Sequence, residues 1–298
     1  MNSPKVTTVA IRERKQKGPK LAVLTAYDAT MARLLDEGGA DALLVGDSLG
    51  MVVQGQPNTL SVTLEEMAYH GRMVARAVKR AHVVVDMPFM SFQVSSEKAL
   101  EAAGKLVKEG GAEAVKLEGG VSMAETVRRI VSAGIPVMGH VGLTPQSVHA
   151  FGGFRVQGKG EDAASRVLSD AKALEQAGAY AIVLEAMPAD LARRITETVD
   201  VPTIGIGAGP YCDGQVLVCY DFLGMFRDVQ PKFVRRFAEL GNAVLDATRS
   251  YVDDVRSGAF PEAQHSFGMA APKSLGEPTG ARPIVEGAPP VYGPADES

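Results

Sequence analysis

The segment Gly110-Gly-Ala-Glu-Ala-Val-Lys-Leu-Glu-Gly-Gly-Val-Ser-Met-Ala-Glu125 decides the fold. Its first two glycines stop one helix, as left-handed C-caps do. The run Ala114–Glu118 then reads as a strand buried on both faces. Ser122 and Glu125 have the spacing of a capping box that opens the next helix. The same unit recurs along the chain. Strands are predicted at Leu21–Tyr27, Asp41–Asp47, His82–Pro88, Ala114–Glu118, Pro136–Val141, Ala181–Ala186 and Pro202–Ile206, with an ambiguous eighth at Val216–Leu223. Helices are predicted over Asp28–Glu37, from the Thr63/Glu66 capping box to about Lys79, over Ser95–Glu109, from Ser122 to Gly134, over Ala163–Gln176, and over Ala189–Val199 after Pro188. Seven strand–helix units in succession predict an α/β protein with a parallel sheet, closed as a (β/α)8 TIM barrel. An open doubly wound sheet is the alternative, because strand order is not written in a sequence.

Composition sets the outer limits. The chain has 298 residues, 46% hydrophobic and 22% charged, which is enough apolar matter for a sizeable core. Its 31 basic and 35 acidic residues leave a net charge of −4, which disfavours a nucleic-acid-binding surface. No run of eighteen apolar residues is present, so no membrane span is predicted. Cys212 and Cys219 are read as free thiols, and the protein as cytoplasmic. Met1–Pro19 lacks a secretory core and reads as a short surface helix. A long helix is expected over Phe233–Val255, and a single barrel domain over residues 1–267. Residues 268–298 hold six prolines and five glycines without apolar periodicity, and are expected to form a loosely ordered tail.

The polar residues at the strand ends carry the chemistry. Alternation along a strand puts Lys116 and Glu118 on one face, and likewise Val45 with Asp47, Val84 with Asp86, Met138 with His140, and Val183 with Glu185. In a barrel, C-terminal strand ends form the mouth where active sites are built. Asp47, Asp86, Lys116, Glu118, His140 and Glu185 are therefore expected to converge. Four carboxylates and one lysine leave about −3 in a small space, so the cluster must raise its pKa values or bind a cation. An oxygen-only donor set suits Mg²⁺ or a similar hard ion. The acid that the metal does not need becomes the candidate general base. His140 is read as a substrate-site residue that hydrogen-bonds a ligand hydroxyl or orients a ligand, with a structural histidine as the alternative.

Other features are weaker. The long connections Ser48–Val62 and Gly142–Gly160 read as binding loops or lids. Gly205-Ile-Gly-Ala-Gly209 lacks the spacing of a dinucleotide fingerprint, and reads as close backbone packing or a close approach to ligand. Asp28 reads as a helix N-cap. His70, His82, His149 and His265 lack metal-ligand spacing and read as structural or surface residues.

Several motifs, in order, resemble those of the ketopantoate hydroxymethyltransferase family. They are Val45-Gly-Asp-Ser-Leu-Gly50, Asp86-Met-Pro-Phe89, Val115-Lys-Leu-Glu-Gly-Gly120, Gly139-His-Val-Gly-Leu-Thr-Pro-Gln146, Phe151-Gly-Gly-Phe154, Leu184-Glu185 and Ile204-Gly-Ile-Gly-Ala-Gly209. The likeness runs from about Thr25 to Phe267. It implies a barrel of the phosphoenolpyruvate/pyruvate-binding type. It also implies transfer of a hydroxymethyl group from 5,10-methylenetetrahydrofolate, as co-substrate, to 3-methyl-2-oxobutanoate, forming ketopantoate for pantothenate and coenzyme A. In that family's pattern Asp47, Asp86 and Glu118 match the residues at one Mg²⁺ per subunit. Asp47, Ser48, Asp86 and Lys116 match the 2-oxo acid site, and Glu185 matches the proton acceptor. The resemblance further implies a homo-oligomer, a ring-paired decamer, with small molecules as its other partners. Two rival readings are a carbon–carbon lyase of the same barrel type and a non-catalytic barrel. Neither Cys212 nor Cys219 has the loop context of such a lyase's reactive cysteine, and a retired site has no reason to keep a costly charge cluster.

Overall fold

Eight short strands pair in sequence order, all parallel, and the first closes on the last to make a barrel. They are β1 (Leu21–Thr25), β2 (Ala42–Val45), β3 (His82–Asp86), β4 (Ala114–Glu118), β5 (Val137–Gly142), β6 (Ala181–Glu185), β7 (Thr203–Ile206) and β8 (Gly214–Leu217). The computed structural model describes residues 4–227 and 231–267. Closure is direct: Leu21 lies opposite Gly214 and Leu24 opposite Leu217. The ambiguous eighth strand therefore exists, but begins at Gly214.

The helices are α1 (Thr8–Glu13), α2 (Ala29–Glu37), α3 (Leu49–Val52), α4 (Leu64–Ala77), α5 (Ser96–Lys108), α6 (Ala124–Ser132), α7 (Val148–Phe151), α8 (Glu161–Gln176), α9 (Ala189–Thr198), α10 (Cys219–Phe222) and α11 (Leu240–Ser257). The Thr63/Glu66 capping box forms: the Thr63 hydroxyl accepts from Glu66 N, and the Glu66 carboxylate accepts from Thr63 N. Asp28 caps α2 by accepting from Met31 N at 2.9 Å. The Ser122/Glu125 box does not form. Residues Val121–Met123 make a 3-10 turn, and Met123 occupies the N-cap of α6 without a side-chain bond. Asp170 takes over instead, accepting from Val121 N at 2.9 Å.

Alternation along the strands builds two apolar layers. Leu21, Val23, Ala42, Leu44, Val84, Ala114, Met138, Ala181, Val183, Ile204 and Val216 fill the barrel. Leu43, Val83, Val85, Val115, Leu117, Val137, Ile182 and Leu184 face outward and pack with the helices. Gly139 belongs to the outer layer, where a Cβ would stand 2.6 Å from the Leu174 side chain.

The described residues fall into two units, one running to Asn242 and one beginning at Ala243. The barrel belongs to the first. In the second, the Phe260 ring lies between those of Tyr251 and His265, 5.7 and 5.2 Å away. The long C-terminal helix starts at Leu240, not at Phe233. Residues before it are held in irregular backbone by bonds from Phe237 N to Phe222 O and from Leu240 N to Leu223 O. The expected tail, 268–298, lies outside the described residues. Among those residues, no helix is long and apolar enough to cross a membrane.

Candidate active site

Five of the six polar strand-end residues reach the mouth as alternation requires. Lys116 and Glu118 continue the inward face begun by Ala114, Asp86 that of Val84, His140 that of Met138, and Glu185 that of Val183. Asp47 arrives differently. Val45 belongs to the outer layer, so alternation beyond it does not carry Asp47 inward. The chain turns at Gly46–Ser48, and that turn brings Asp47 to the site. At Gly46 a Cβ would stand 2.8 Å from Ser48 Oγ, so a side chain there would displace that hydroxyl.

Strand register makes the contacts. Asp86 pairs with Lys116 across β3 and β4, and Glu118 with His140 across β4 and β5. Lys116 Nζ lies 2.8 Å from Asp86 Oδ1, with both side chains about 5% exposed. The other Asp86 oxygen, Oδ2, accepts from Asp47 N at 3.1 Å. His140 Nδ1 stands 3.5 Å from Lys116 Nζ and 3.6 Å from Glu118 Oε1. His140 Nε2 faces Glu185 Oε2 at 3.2 Å. Glu185 lies opposite Gly142 in the sheet, and its carbonyl accepts from Leu143 N. Gly142 has φ +97°, and a Cβ there would overlap that same carbonyl, so glycine alone fits beside Glu185.

The electrostatics follow from burial and crowding. Burial disfavours a charged Lys116, but the Asp86, Glu118 and Asp47 carboxylates outweigh it and hold the ammonium well above its ordinary range. Burial, then the Asp86 charge, pushes the Asp47 carboxyl up to about 7, against the pull of Lys116 and Gln146. Burial and the Asp47 charge also raise Glu118. Burial and Lys116 lower His140, which is therefore neutral at pH 7. A neutral imidazole that takes Lys116 at Nδ1 carries its proton on Nε2, 3.2 Å from Glu185 Oε2 but without a hydrogen bond to it; this tautomer is assigned from the Lys116 contact.

Two groups that the sequence reading missed complete the site. Tyr27 is buried, and its hydroxyl lies 2.9 Å from Ser48 Oγ. Burial drives the phenol's pKa well up, so it stays protonated. Gln146 donates from Nε2 to Asp47 Oδ2 and to Met87 O, each at 2.9 Å. Its backbone N donates to Glu118 Oε2 at 3.0 Å. Gln146 closes the quoted run Gly139–Gln146, but a single uncharged residue in a loop carries no periodic signal. A cavity of about 170 Å³ opens beside it, lined in part by Phe89, Gln93, Glu118 and Met123. Asp86 and Lys116 do not line that cavity.

The remaining histidines and cysteines lie outside the strand-end cluster. His82 is buried between Glu113 and the Tyr180 hydroxyl, 3.2 Å from each. His70 Nδ1 bonds the Tyr27 carbonyl at 2.6 Å. Cys212 and Cys219 are both buried free thiols.

Among the described residues, no group of three or more His, Cys, Asp or Glu side chains is arranged to hold a metal ion. Asp47, Asp86 and Glu118 thus do not form a ready three-carboxylate cage. Their donor chemistry does fit a hard divalent cation. The oxygens are carboxylate oxygens, they are buried, and the Asp47 carboxyl is raised partly by repulsion from Asp86. Magnesium commonly takes one or two carboxylates and fills its other positions from substrate and water.

Comparison with known proteins agrees with this architecture. The family model for ketopantoate hydroxymethyltransferase matches residues 5–263. The 3-methyl-2-oxobutanoate hydroxymethyltransferase of Anaeromyxobacter sp. (strain K) is 57% identical over 266 residues, covering 88% of this chain and 87% of that protein. The protein of the same name from Pelobacter propionicus is 56% identical over 263 residues, covering 88% of this chain and 97% of that one. In fold, the chain is similar to 2,3-dimethylmalate lyase, a PEP mutase/isocitrate lyase superfamily member. The TM-score is 0.55 at 19% identity, covering 86% of this chain and 90% of the lyase.

Proposed function

This chain belongs to the ketopantoate hydroxymethyltransferase family, and from that premise we propose that it converts 3-methyl-2-oxobutanoate to ketopantoate with 5,10-methylenetetrahydrofolate and a divalent cation, Mg²⁺. The observation that carries the reading is the contrast between Glu185 and its neighbours. Asp86 is held by Lys116, and Asp47 and Glu118 are held by Gln146. Glu185 faces only His140 within the cluster and is the most exposed of the four acids, at 17%.

Each residue then has a task. Lys116 stays charged and offsets the substrate carboxylate, and Ser48 offers a hydroxyl positioned by Tyr27. Glu185 accepts the C3 proton, with the neutral His140 ring packed against its carboxylate, Nε2 3.2 Å from Oε2. The C3 carbanion, delocalised onto the 2-oxo oxygen, forms the new C–C bond to the one-carbon unit. Both C–N bonds that held that carbon break, water supplies the hydroxyl oxygen, and tetrahydrofolate leaves with its nitrogens reprotonated by the C3 proton and a proton from that water. Asp47 and Asp86, with Glu118 beside them, would hold the cation, which when bound supplies Lewis-acid stabilisation of charge on the 2-oxo oxygen. Burial of Asp86, Lys116 and His140 excludes water from the inner groups. A homo-oligomer, a decamer of 31.4 kDa chains, and a cytoplasmic setting belong to the same proposal.

Proton NMR of 3-methyl-2-oxobutanoate in D₂O tests it. With protein and Mg²⁺, and with tetrahydrofolate added if needed, the C3–H signal is expected to disappear. A chelator should prevent the loss, and methylenetetrahydrofolate should yield ketopantoate. A C3–H signal that persists under all these conditions overturns the reading.

The raised carboxyls give a second expectation. The folded state keeps a proton on Asp47 that the unfolded chain has released, so without cation its contribution to stability falls as pH rises toward about 7. Above that pH the carboxylate is free to bind a cation; below it, protons compete. Mg²⁺ should therefore raise the melting temperature more at pH 8 than at pH 6. An equal rise at both, measured by scanning calorimetry, would count against Asp47 as a ligand.

A further inference from the structure

We infer that Gln146 is a positioning residue that sets the relative placement of Asp47 and Glu118 for the cation, an inference that rests on the reading above. Gln146 sits on the 3-10 turn Pro145–Ser147 that follows β5, and it is buried. Both Nε2 protons are spent, one on Asp47 Oδ2 and one on Met87 O. Its Oε1 accepts from Gln93 Nε2 at 2.9 Å. Its backbone N holds Glu118 Oε2. One residue thus ties together the turn after β2, the chain after β3 and the end of β4.

The orientation of the amide is determined. The Met87 carbonyl can only accept, so the NH₂ end must face it, and with it Asp47 Oδ2. Asp47 needs such a donor because it stands on a turn, and strand alternation does not aim its carboxylate. The residue type also matters. A lysine there would neutralise the charge that draws the cation, and a glutamate would repel Asp47. An amide orients the carboxylate and leaves its charge available. Groups that hold metal-binding carboxylates from behind are ordinarily worth 10–100-fold in metal affinity or activity.

Gln146→Met keeps the approximate shape and the backbone N–H but removes the side-chain bonds. It is to be compared with the wild-type chain by Mn²⁺ titration calorimetry, by kcat and KM for 3-methyl-2-oxobutanoate, and by thermal melting. The expected result is roughly 10-fold or more weaker Mn²⁺ binding and a lower kcat, with the melting temperature little changed. Gln146→Glu should be worse than Gln146→Met in both respects. A folded Gln146→Met protein with wild-type Mn²⁺ affinity overturns the inference. If Gln146→Met fails to fold, Gln93→Ala frees only the Oε1 end and should weaken Mn²⁺ binding by a few-fold; unchanged affinity there overturns it equally. Wild-type protein that binds Mn²⁺ but makes no ketopantoate would sink the proposed reaction alone, since the titration still reads the role of Gln146.

Discussion

Glu185→Gln is expected to lose turnover by roughly 10²–10⁴-fold, the range that a positioned general base ordinarily contributes. The amide preserves shape and still reaches His140 Nε2, 3.2 Å from Glu185 Oε2, so the β6 end should keep its place. It cannot accept a proton from carbon. KM for 3-methyl-2-oxobutanoate and the half-saturating Mg²⁺ concentration should therefore stay near wild type, because Asp47, Asp86, Lys116 and Glu118 are untouched. A loss confined to kcat, with C3–H exchange abolished, is the signature of an interaction made only as the proton moves. Wild-type exchange in Glu185→Gln would remove Glu185 as the base. It would direct attention to His140, which is neutral and in contact with Glu185.

Lys116→Met should produce the largest loss of stability. Lys116 is the cation paired with buried Asp86, and its charge also lowers the pKa of Asp47 and of Glu118. Removing one partner of a buried ion pair costs about 3–5 kcal/mol, because the other charge is left in a poor solvent. For a chain of this size that corresponds to a melting temperature lower by roughly 5–15 °C. The sign with pH is defined. Without the ammonium the Asp47 and Glu118 carboxyls rise further, so protons neutralise them in acid and fail to do so in base. The deficit relative to wild type should be smaller at pH 6 than at pH 8, and Mg²⁺ should recover part of it. A melting temperature within about 2 °C of wild type at both pH values would show that Lys116 does not compensate these carboxylates.

The contrast between Lys116 and Asp47 shows where sequence reasoning works. Ala114-Val-Lys-Leu-Glu118 could be read residue by residue, since alternation is a property of an extended backbone and needs no partner. Its inward set, Ala114, Lys116 and Glu118, is the one observed, as are those ending in Asp86, His140 and Glu185. The same rule applied to Val45 and Asp47 brought Asp47 to the right place for the wrong reason, because β2 ends at Val45 and a turn intervenes. The Ser122/Glu125 pattern failed in a similar way. A capping box is a local preference, and the Asp170 carboxylate, 49 residues from Val121 in sequence, captured that turn.

The sequence by itself determined the repeating strand–helix units, the acids and the lysine at the strand ends, and the family, all of which rest on short-range patterns along the chain. Only the tertiary structure decided that Asp86 pairs with Lys116, that His140 stands between Lys116 and Glu185, and that Gln146 holds Asp47 and Glu118. Those contacts depend on which strands are neighbours, on the register between them and on where a loop folds back. They are set by closing the barrel and burying its two apolar layers. The residues that meet there lie 24 to 99 positions apart, and no local pattern encodes such a meeting.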